Sequence, residues 1–324
     1  MKAATINRYG SEEVIELKDV ERPKPNSNQL LVKVHCTTVN RTDCAFISGQ
    51  PIIARLITGI LKPKINITGT DFAGTVTQVG ANVNSFKIDE RVFGFNDLGL
   101  KSHAEYLVID QSKTVEKIPD GISFQEAVAS TEGSHYALNM INKVEIDQDA
   151  KVLVNGATGA IGSALIQILK SQNIYVTAVG NTPNLDQIKA MGADRVFDYL
   201  KEDFTLDKQK YAFVFDAVGK SSFKRTKHLL ADNGAYLSTE LGRNWENVWL
   251  ALFTPIIGKK KVIFPIPKDC KHSIQKMVFL LEQKKFKPLI DNEFKLNQIQ
   301  EAIKYVRDGK KSGNVILEMP PEVR

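Results

Sequence analysis

Residues 151–170 read KVLVNGATGAIGSALIQILK. An apolar run ends at Val154, glycines stand at 156, 159 and 162, and a helical pattern of apolar residues follows at once. The stretch therefore predicts a strand, a tight turn and a helix whose first turn carries free N–H groups and a partial positive charge. Such a turn is built to hold a pyrophosphate. Gly159 lets the backbone approach the phosphates, and Gly162 lets the helix pack closely on the strand. Ala157 takes the place of the first glycine of GxGxxG, so the motif reads AxGxxG. A strand before it, a helix after it and a second strand, YVTAVG (175–180), turn a loose pattern into a specific one. Ala157, Thr158, Gly159, Ala160 and Ile161 are the expected dinucleotide contacts here.

An Asp or Glu at the end of that second strand would bond the adenosine ribose hydroxyls of NAD and repel a 2′-phosphate. The chain instead places Gly180, Asn181 and Thr182 there. Small, uncharged and polar residues suit a phosphate, so the expected cofactor is NADPH (NADP) and these three are candidate contacts. A similar glycine turn occurs in short-chain dehydrogenases, which need a Tyr-x-x-x-Lys pair. None of the eight tyrosines has a lysine four residues on, which removes that reading.

Around the turn, strands and helices alternate from about 122 to 265, the signature of βαβ units and a parallel sheet. Helices are expected over SFQEAVASTEGSHYALNMI and SSFKRTKHLLADNG, and a strand over AYLSTE. The first 120 residues are instead rich in short strands, among them LLVKVHCTTV (30–39), FAGTVTQVG (72–80) and ERVFGF (90–95), with one apolar helical stretch, PIIARLITGIL (51–61). The chain has 324 residues, 43% of them hydrophobic and 25% charged, so sizeable cores and two domains are expected. No apolar run approaches the roughly 18 residues of a membrane span. MKAATINRYG has no apolar segment of a secretory leader, so a cytoplasmic location is expected. Cys36, Cys44 and Cys270 form no metal-type pair and read as reduced thiols. The net charge of +6 is modest, and Lys259-Lys260-Lys261 reads as a solvated turn rather than a nucleic-acid contact.

Taken together, PKPNSNQLLVKV (23–34), VNRTD (39–43), GTDFAGTVTQVG (69–80), ERVFGF, the glycine turn, GADRVFDY (192–199), FDAVG (215–219) and KKSGNVIL (310–317) resemble the medium-chain dehydrogenase/reductases, in their zinc-free quinone oxidoreductase branch. The resemblance implies an α/β fold: a GroES-like β-rich catalytic domain (1–121 and 266–324) and a Rossmann-type doubly wound parallel-sheet cofactor domain (122–265). The zinc enzymes of the family carry a cysteine where Asn40 stands and a His-Glu pair where Thr70-Asp71 stands, so no metal is expected.

Without a metal the implied chemistry is NADPH-dependent hydride transfer to quinones or α,β-unsaturated carbonyls in a cleft between the domains. Asn40 is the expected catalytic hydrogen-bond donor to the carbonyl oxygen. Some relatives place a tyrosine five residues on, but here that residue is Ala45, which leaves solvent, Asp43, Tyr106 or His135 as proton donors. Further expected cofactor contacts are Thr131, Tyr199, Val218, Phe264 and Asn314. The apolar stretch 51–61 would either roof the pocket or pack on its own domain. The resemblance also implies a homodimer, through a cofactor-domain edge strand near NVWLALF (247–253). The alternatives are an alcohol or ketone dehydrogenase without zinc, and an NADPH-binding sensor or RNA-binding protein with little turnover.

Overall fold

The computed structural model describes residues 1–64, 66–96 and 98–321. The chain divides into two compact units: Met1–Glu132 with Asp269–Arg324, and Gly133–Lys268.

The first unit begins with strands β1 (Lys2–Thr5), β2 (Glu16–Asp19) and β3 (Gln29–Val39), then helices α1 (Arg41–Ser48) and α2 (Ala54–Thr58). Strands β4 (Asp71–Val79), β5 (Arg91–Phe95), β6 (Tyr106–Asp110) and β7 (Val115–Lys117) follow, and then helix α3 (Phe124–Ala129). Helix α4 (Glu132–Ile141) begins where the second unit takes over. Stretch 123–141, expected as one helix, is thus two; Ser123 caps α3 by accepting the N–H of Glu126, and α3 closes at Ser130. Helix α3 lies with the first unit rather than with the dinucleotide fold.

In the second unit come β8 (Lys151–Asn155), α5 (Ala160–Ser171), β9 (Tyr175–Gly180), α6 (Leu185–Ala190), β10 (Arg195–Asp198) and β11 (Tyr211–Asp216). It ends with α7 (Phe223–Thr226), β12 (Leu230–Ser238), α8 (Glu246–Ile257) and β13 (Lys261–Ile263). The chain then returns to the first unit for α9 (Cys270–Glu282), β14 (Ile290–Lys295), α10 (Ile299–Arg307) and β15 (Asn314–Glu318).

The main sheet of the first unit runs β14-β15-β3-β4-β5-β7, with β6 also pairing β3. Leu30, Val32 and Val34 alternate into one core with Phe72, Val76, Val92 and Leu107. Helix α10 covers that face with Ile299, Ala302, Ile303 and Val306, a helical spacing in which each buried aliphatic contributes roughly 1.5–3 kcal/mol. Between Val34 and Cys36 the register against β4 shifts. Cys36 thereby joins the opposite face, where Ala73, Phe93 and Ile316 meet α3.

The sheet of the second unit is parallel throughout, in the order β10-β9-β8-β11-β12-β13. Counted from β8, this is the 3-2-1-4-5-6 order of a doubly wound dinucleotide fold, whose direction of winding reverses between β8 and β11. Leu165, Ile166, Ile168 and Leu169 of α5 are all buried, so this helix is apolar nearly all round, as a covered sheet requires. Two expectations are corrected. Stretch 221–234 is helical only over α7, because Leu229 and Leu230 enter the core and β12 begins at Leu230. NVWLALF lies in helix α8, and the edge strand is β13.

Candidate active site

In the first unit the end of β3, the start of β4 and the start of α1 converge on buried polar groups. The carboxylate of Asp71 is fully buried and accepts from the Thr38 backbone N–H (2.7 Å) and from the hydroxyls of Thr37 (2.9 Å), Thr38 (2.5 Å) and Thr131 (2.9 Å). Burial raises its pKa, and the donors from Thr38, Thr131 and Thr37 oppose that rise. Asn40 is buried at the mouth of α1, and its amide donates to Thr38 Oγ1 at 2.5 Å. A chain of hydrogen bonds thus runs from Asn40 through Thr38 to Asp71, and the planar amide keeps a second N–H beyond it.

One turn on, Asp43 accepts the Asn40 backbone N–H through Oδ2 at 2.9 Å. Burial drives its pKa up to about 8, with Asp71 adding to the rise and the backbone N–H groups of Asn40 and Gly69 opposing it. Beside this group, Glu132 is buried and accepts the hydroxyls of Thr42 (2.7 Å) and Thr70 (2.9 Å). Burial holds the ammonium of Lys311 below its ordinary pKa, and Glu132 opposes that fall. His103 closes the far side. Its Nε2 lies 3.1 Å from the Thr38 carbonyl, which only accepts, so Nε2 carries the proton and Nδ1 accepts from Thr68 at 2.7 Å. Burial lowers the pKa of this imidazole, in keeping with that neutral tautomer.

These donors do not fit zinc. Asn40 offers a neutral amide in place of a thiolate, Thr70 donates its hydroxyl to Glu132, and among the described residues no three His, Cys, Asp or Glu side chains are placed to hold a metal. Burial pushes the thiol of Cys44 up to about 12.

In the second unit the candidate residues gather at the C-terminal ends of β8 to β11. Gly159 caps the N-terminus of α5, where a side chain would meet only the Gly156 carbonyl at 3.6 Å, so the approach to the first-turn N–H groups is open. At Gly162 a Cβ would lie 2.1 Å from that same carbonyl, which enforces the close helix–strand approach. Thr158, Ala160 and Ile161 line the turn, Ala157 is buried beneath it, and Val218 packs against Gly156. This cradle fits a pyrophosphate.

At Gly180 a Cβ would lie 2.2 Å from Ile188 Cδ1, the tip of a side chain that can turn aside. Asn181 and Thr182 follow, with Asn181 Oδ1 accepting from the Asn184 side-chain amide at 2.6 Å. Tyr199 donates its backbone N–H to Gly180 (2.9 Å) and leaves its ring exposed beside the strand end. An acid does stand close by, on the neighbouring strand. Asp198 accepts the Thr182 hydroxyl and the Leu200 N–H and lies 3.7 Å from Lys201, and its pKa is lowered first by that hydroxyl.

Other candidates are placed more plainly. Thr131 and Asn314 are buried in the first unit, their side chains engaged by Asp71 and by the Leu289 carbonyl. Phe264 follows β13 and is half-buried. Tyr106 lies under the Arg22 guanidinium, and His135 is buried beside Asn139 in the second unit. Glu132, Lys311 and Asp198 were not singled out in the sequence, since only the fold sets Glu132 against Thr70 or Asp198 against Thr182.

Two family profiles match the chain, the alcohol dehydrogenase GroES-like domain over residues 26–133 and the zinc-binding dehydrogenase over residues 191–317. The chain belongs to the medium-chain dehydrogenase/reductase superfamily, in its quinone oxidoreductase-like branch. The chloroplast envelope quinone oxidoreductase homolog of Arabidopsis thaliana is 29% identical over 98% of both chains. The 2-methylene-furan-3-one reductase of Solanum lycopersicum is 26% identical over 99% of this chain and 80% of its own. The structure of the quinone oxidoreductase from Coxiella burnetii superposes with a TM-score of 0.85 at 23% identity over 99% of each chain. As in other medium-chain dehydrogenase/reductases, a GroES-like domain accompanies a Rossmann-like one.

Because Asp43 is held protonated by burial well above its unfolded value, the folded chain binds more protons than the unfolded one between about pH 4 and pH 8. This group therefore makes stability fall as pH rises through that window. Asp43→Asn keeps an acceptor for the Asn40 N–H and should flatten that fall, read as melting temperature against pH; an unchanged slope would mean that Asp43 is ionised in the fold.

Proposed function

We propose that this protein is an NADPH-dependent, zinc-independent reductase of quinones or α,β-unsaturated carbonyls. The observation that carries the reading is the pairing of an open phosphate cradle in one unit with a metal-incompetent polar cluster in the other. Similarity to reductases of such acceptors supports it, among them the NADPH-dependent alkenal/one oxidoreductase of Arabidopsis thaliana, 24% identical over 98% of this chain and 79% of its own.

When bound, the reduced nicotinamide supplies a hydride. The first-turn N–H groups of α5 hold the phosphates, and Tyr199 offers a ring face to the adenine. Asn40, fixed by Thr38 and Asp71, presents its second N–H to the acceptor's carbonyl oxygen, where negative charge develops during reduction. An electron-poor acceptor needs no Lewis acid, which suits this donor set. Acceptor-dependent oxidation of NADPH, measured with and without a chelator, is the test. A quinone or enone should turn over and a simple ketone should not, with the chelator without effect. Asn40→Ala should lower kcat by roughly 100-fold, the usual cost of losing one such donor, while NADPH affinity holds. Chelator-sensitive ketone turnover would reverse the reading.

Preference for NADPH rests on the uncharged end of β9, with Lys201 exposed nearby and the charge of Asp198 turned to Thr182 and Leu200. Asn181→Asp is isosteric and places a carboxylate at that strand end. It should cut the NADPH/NADH ratio of kcat/KM by roughly tenfold, the factor that ~1.4 kcal/mol gives. An unchanged ratio would put the 2′-phosphate elsewhere.

The protein is further proposed to act as a homodimer. Strand β13 is a sheet edge, and α8, beside it, exposes Trp249, Leu252, Phe253, Ile256 and Ile257. A second copy would pair the edge and cover the apolar face. Sedimentation equilibrium should give twice the chain mass for the native protein and one chain mass for Phe253→Lys; a native monomer would refute the assignment.

A further inference from the structure

Residues 51–64 leave the surface as a short protrusion around α2. Ile52, Leu56, Ile60 and Leu61 are exposed by 67%, 72%, 67% and 91%, and Ile53 and Ile57 are also exposed. Within its own unit Thr58 lines a small recess and Ala54 is buried, but these six larger apolar side chains face outward. It is nonetheless held firmly. Tyr9 lends its hydroxyl to Thr58 and Gly59, Arg55 bonds the Gly49 carbonyl at 3.2 Å and lies over the Tyr9 ring, and Lys64 donates its backbone N–H to Thr58 at 2.7 Å. The backbone within it is bonded to itself: Ala54 to Pro51, Arg55 to Ile52, Leu56 to Ile53 and Gly59 to Arg55.

The charge along this stretch of sequence has one sign. No Asp or Glu occurs between Asp43 and Asp71, whereas Arg55, Lys62 and Lys64 do, the two lysines exposed at the foot of the protrusion. Contiguous exposed apolar side chains mark a docking surface. The α8 face, with its sheet edge, offers unpaired backbone groups that another protein chain would pair. This segment has no strand to offer, and the backbone N–H groups of Ala54, Arg55, Leu56, Gly59 and Lys64 are bonded within it. A bilayer offers no hydrogen bonds in its apolar part and repels unpaired backbone, but it takes up apolar side chains and attracts cations to anionic headgroups.

We propose that 51–64 docks on a lipid surface bearing anionic headgroups, with Leu56, Ile60 and Leu61 entering the headgroup–acyl boundary and Lys62 and Lys64 meeting the charge. This deepens the quinone reading and rests on it for the substrate class: the acceptor is one dissolved in the bilayer. A recess lined by Phe46, Thr58, Ile67, Thr68 and Gly69 adjoins the segment through Thr58.

Vesicle co-sedimentation of the full chain tests the docking without any turnover. The protein should pellet with phosphatidylcholine vesicles containing phosphatidylglycerol, less so with phosphatidylcholine alone, and less as salt is raised. Leu56→Glu with Leu61→Glu should cut the bound fraction by roughly tenfold, since both lost apolar burial and added charge oppose insertion. Lys62→Ser with Lys64→Ser, which leaves the apolar residues intact, should remove the dependence on phosphatidylglycerol. Failure of the native protein to pellet, or native binding by both double variants, would overturn the proposal. In turnover, the leucine double variant should lose activity on a long-chain quinone held in vesicles and keep it on a water-soluble quinone. Equal loss on both would make the segment a pocket wall and overturn the docking. Vesicle binding without turnover of any quinone would retain the docking and refute the quinone reading.

Discussion

A carboxylate with no access to water, that of Asp71, holds the first unit's functional face in place. Enclosing such a group costs several kcal/mol unless its lone pairs are filled. Here one backbone N–H and three hydroxyls, from Thr37, Thr38 and Thr131, fill them. Each donor comes from a segment that must stay where it is: the end of β3 supplies two threonines, and the entry to α4 supplies the third. The carboxylate therefore fixes the relation of β3, β4 and residues 131–132. Once Thr131 is bound to Asp71, Glu132 falls within reach of Thr70 and Thr42. The second carboxylate depends on the first.

The same constraint sets what chemistry the face offers. Hydroxyl hydrogens of Thr37, Thr38, Thr42, Thr70 and Thr131 all point at buried acceptors, so these groups present lone pairs, not protons, to anything that approaches. Asn40 is the exception, because an amide has two N–H groups and only one is used on Thr38. A site able to give a single hydrogen bond to a carbonyl oxygen matches acceptors that are already electron-poor. It matches poorly the activation of an alcohol, which needs a Lewis acid or a base with free lone pairs near neutrality. Asp43 does not fill that role, being held up to about 8 by burial.

How much of this was legible in the sequence follows from the range over which each feature acts. Strand, turn and helix at 151–170 are local, and their glycine spacing reports a packing demand that the structure repeats at Gly162. The amphipathic spacing of 299–306 is local too. Stretch 221–234 misled because KRTKHLLADNG has helical composition, while Leu229 and Leu230 belong to a sheet core whose other members lie far along the chain. NVWLALF misled for the same reason: β-branched and aromatic residues suit a strand, but exposure on one face and a capping glycine at 258 make it a helix. Glu132 and Asp198 were invisible because their partners are brought to them only by the fold, Thr70 to the start of α4 and Thr182 through the pairing of β10 with β9.

Local reading also explains why the protrusion at 51–64 was ambiguous before the fold was known. Apolar periodicity reports that a segment avoids water, and it is equally satisfied by a core, a roof or a lipid phase. Exposure distinguishes them. A segment whose backbone is bonded to itself, whose base is clamped by Tyr9 and Arg55, and whose apolar side chains still face outward is held in a conformation that costs free energy in water. The polar residues around Asp71 are buried, while this apolar segment stands outside. That inversion has a physical reason if the water around residues 51–64 is replaced, in the working state, by the acyl boundary of a bilayer.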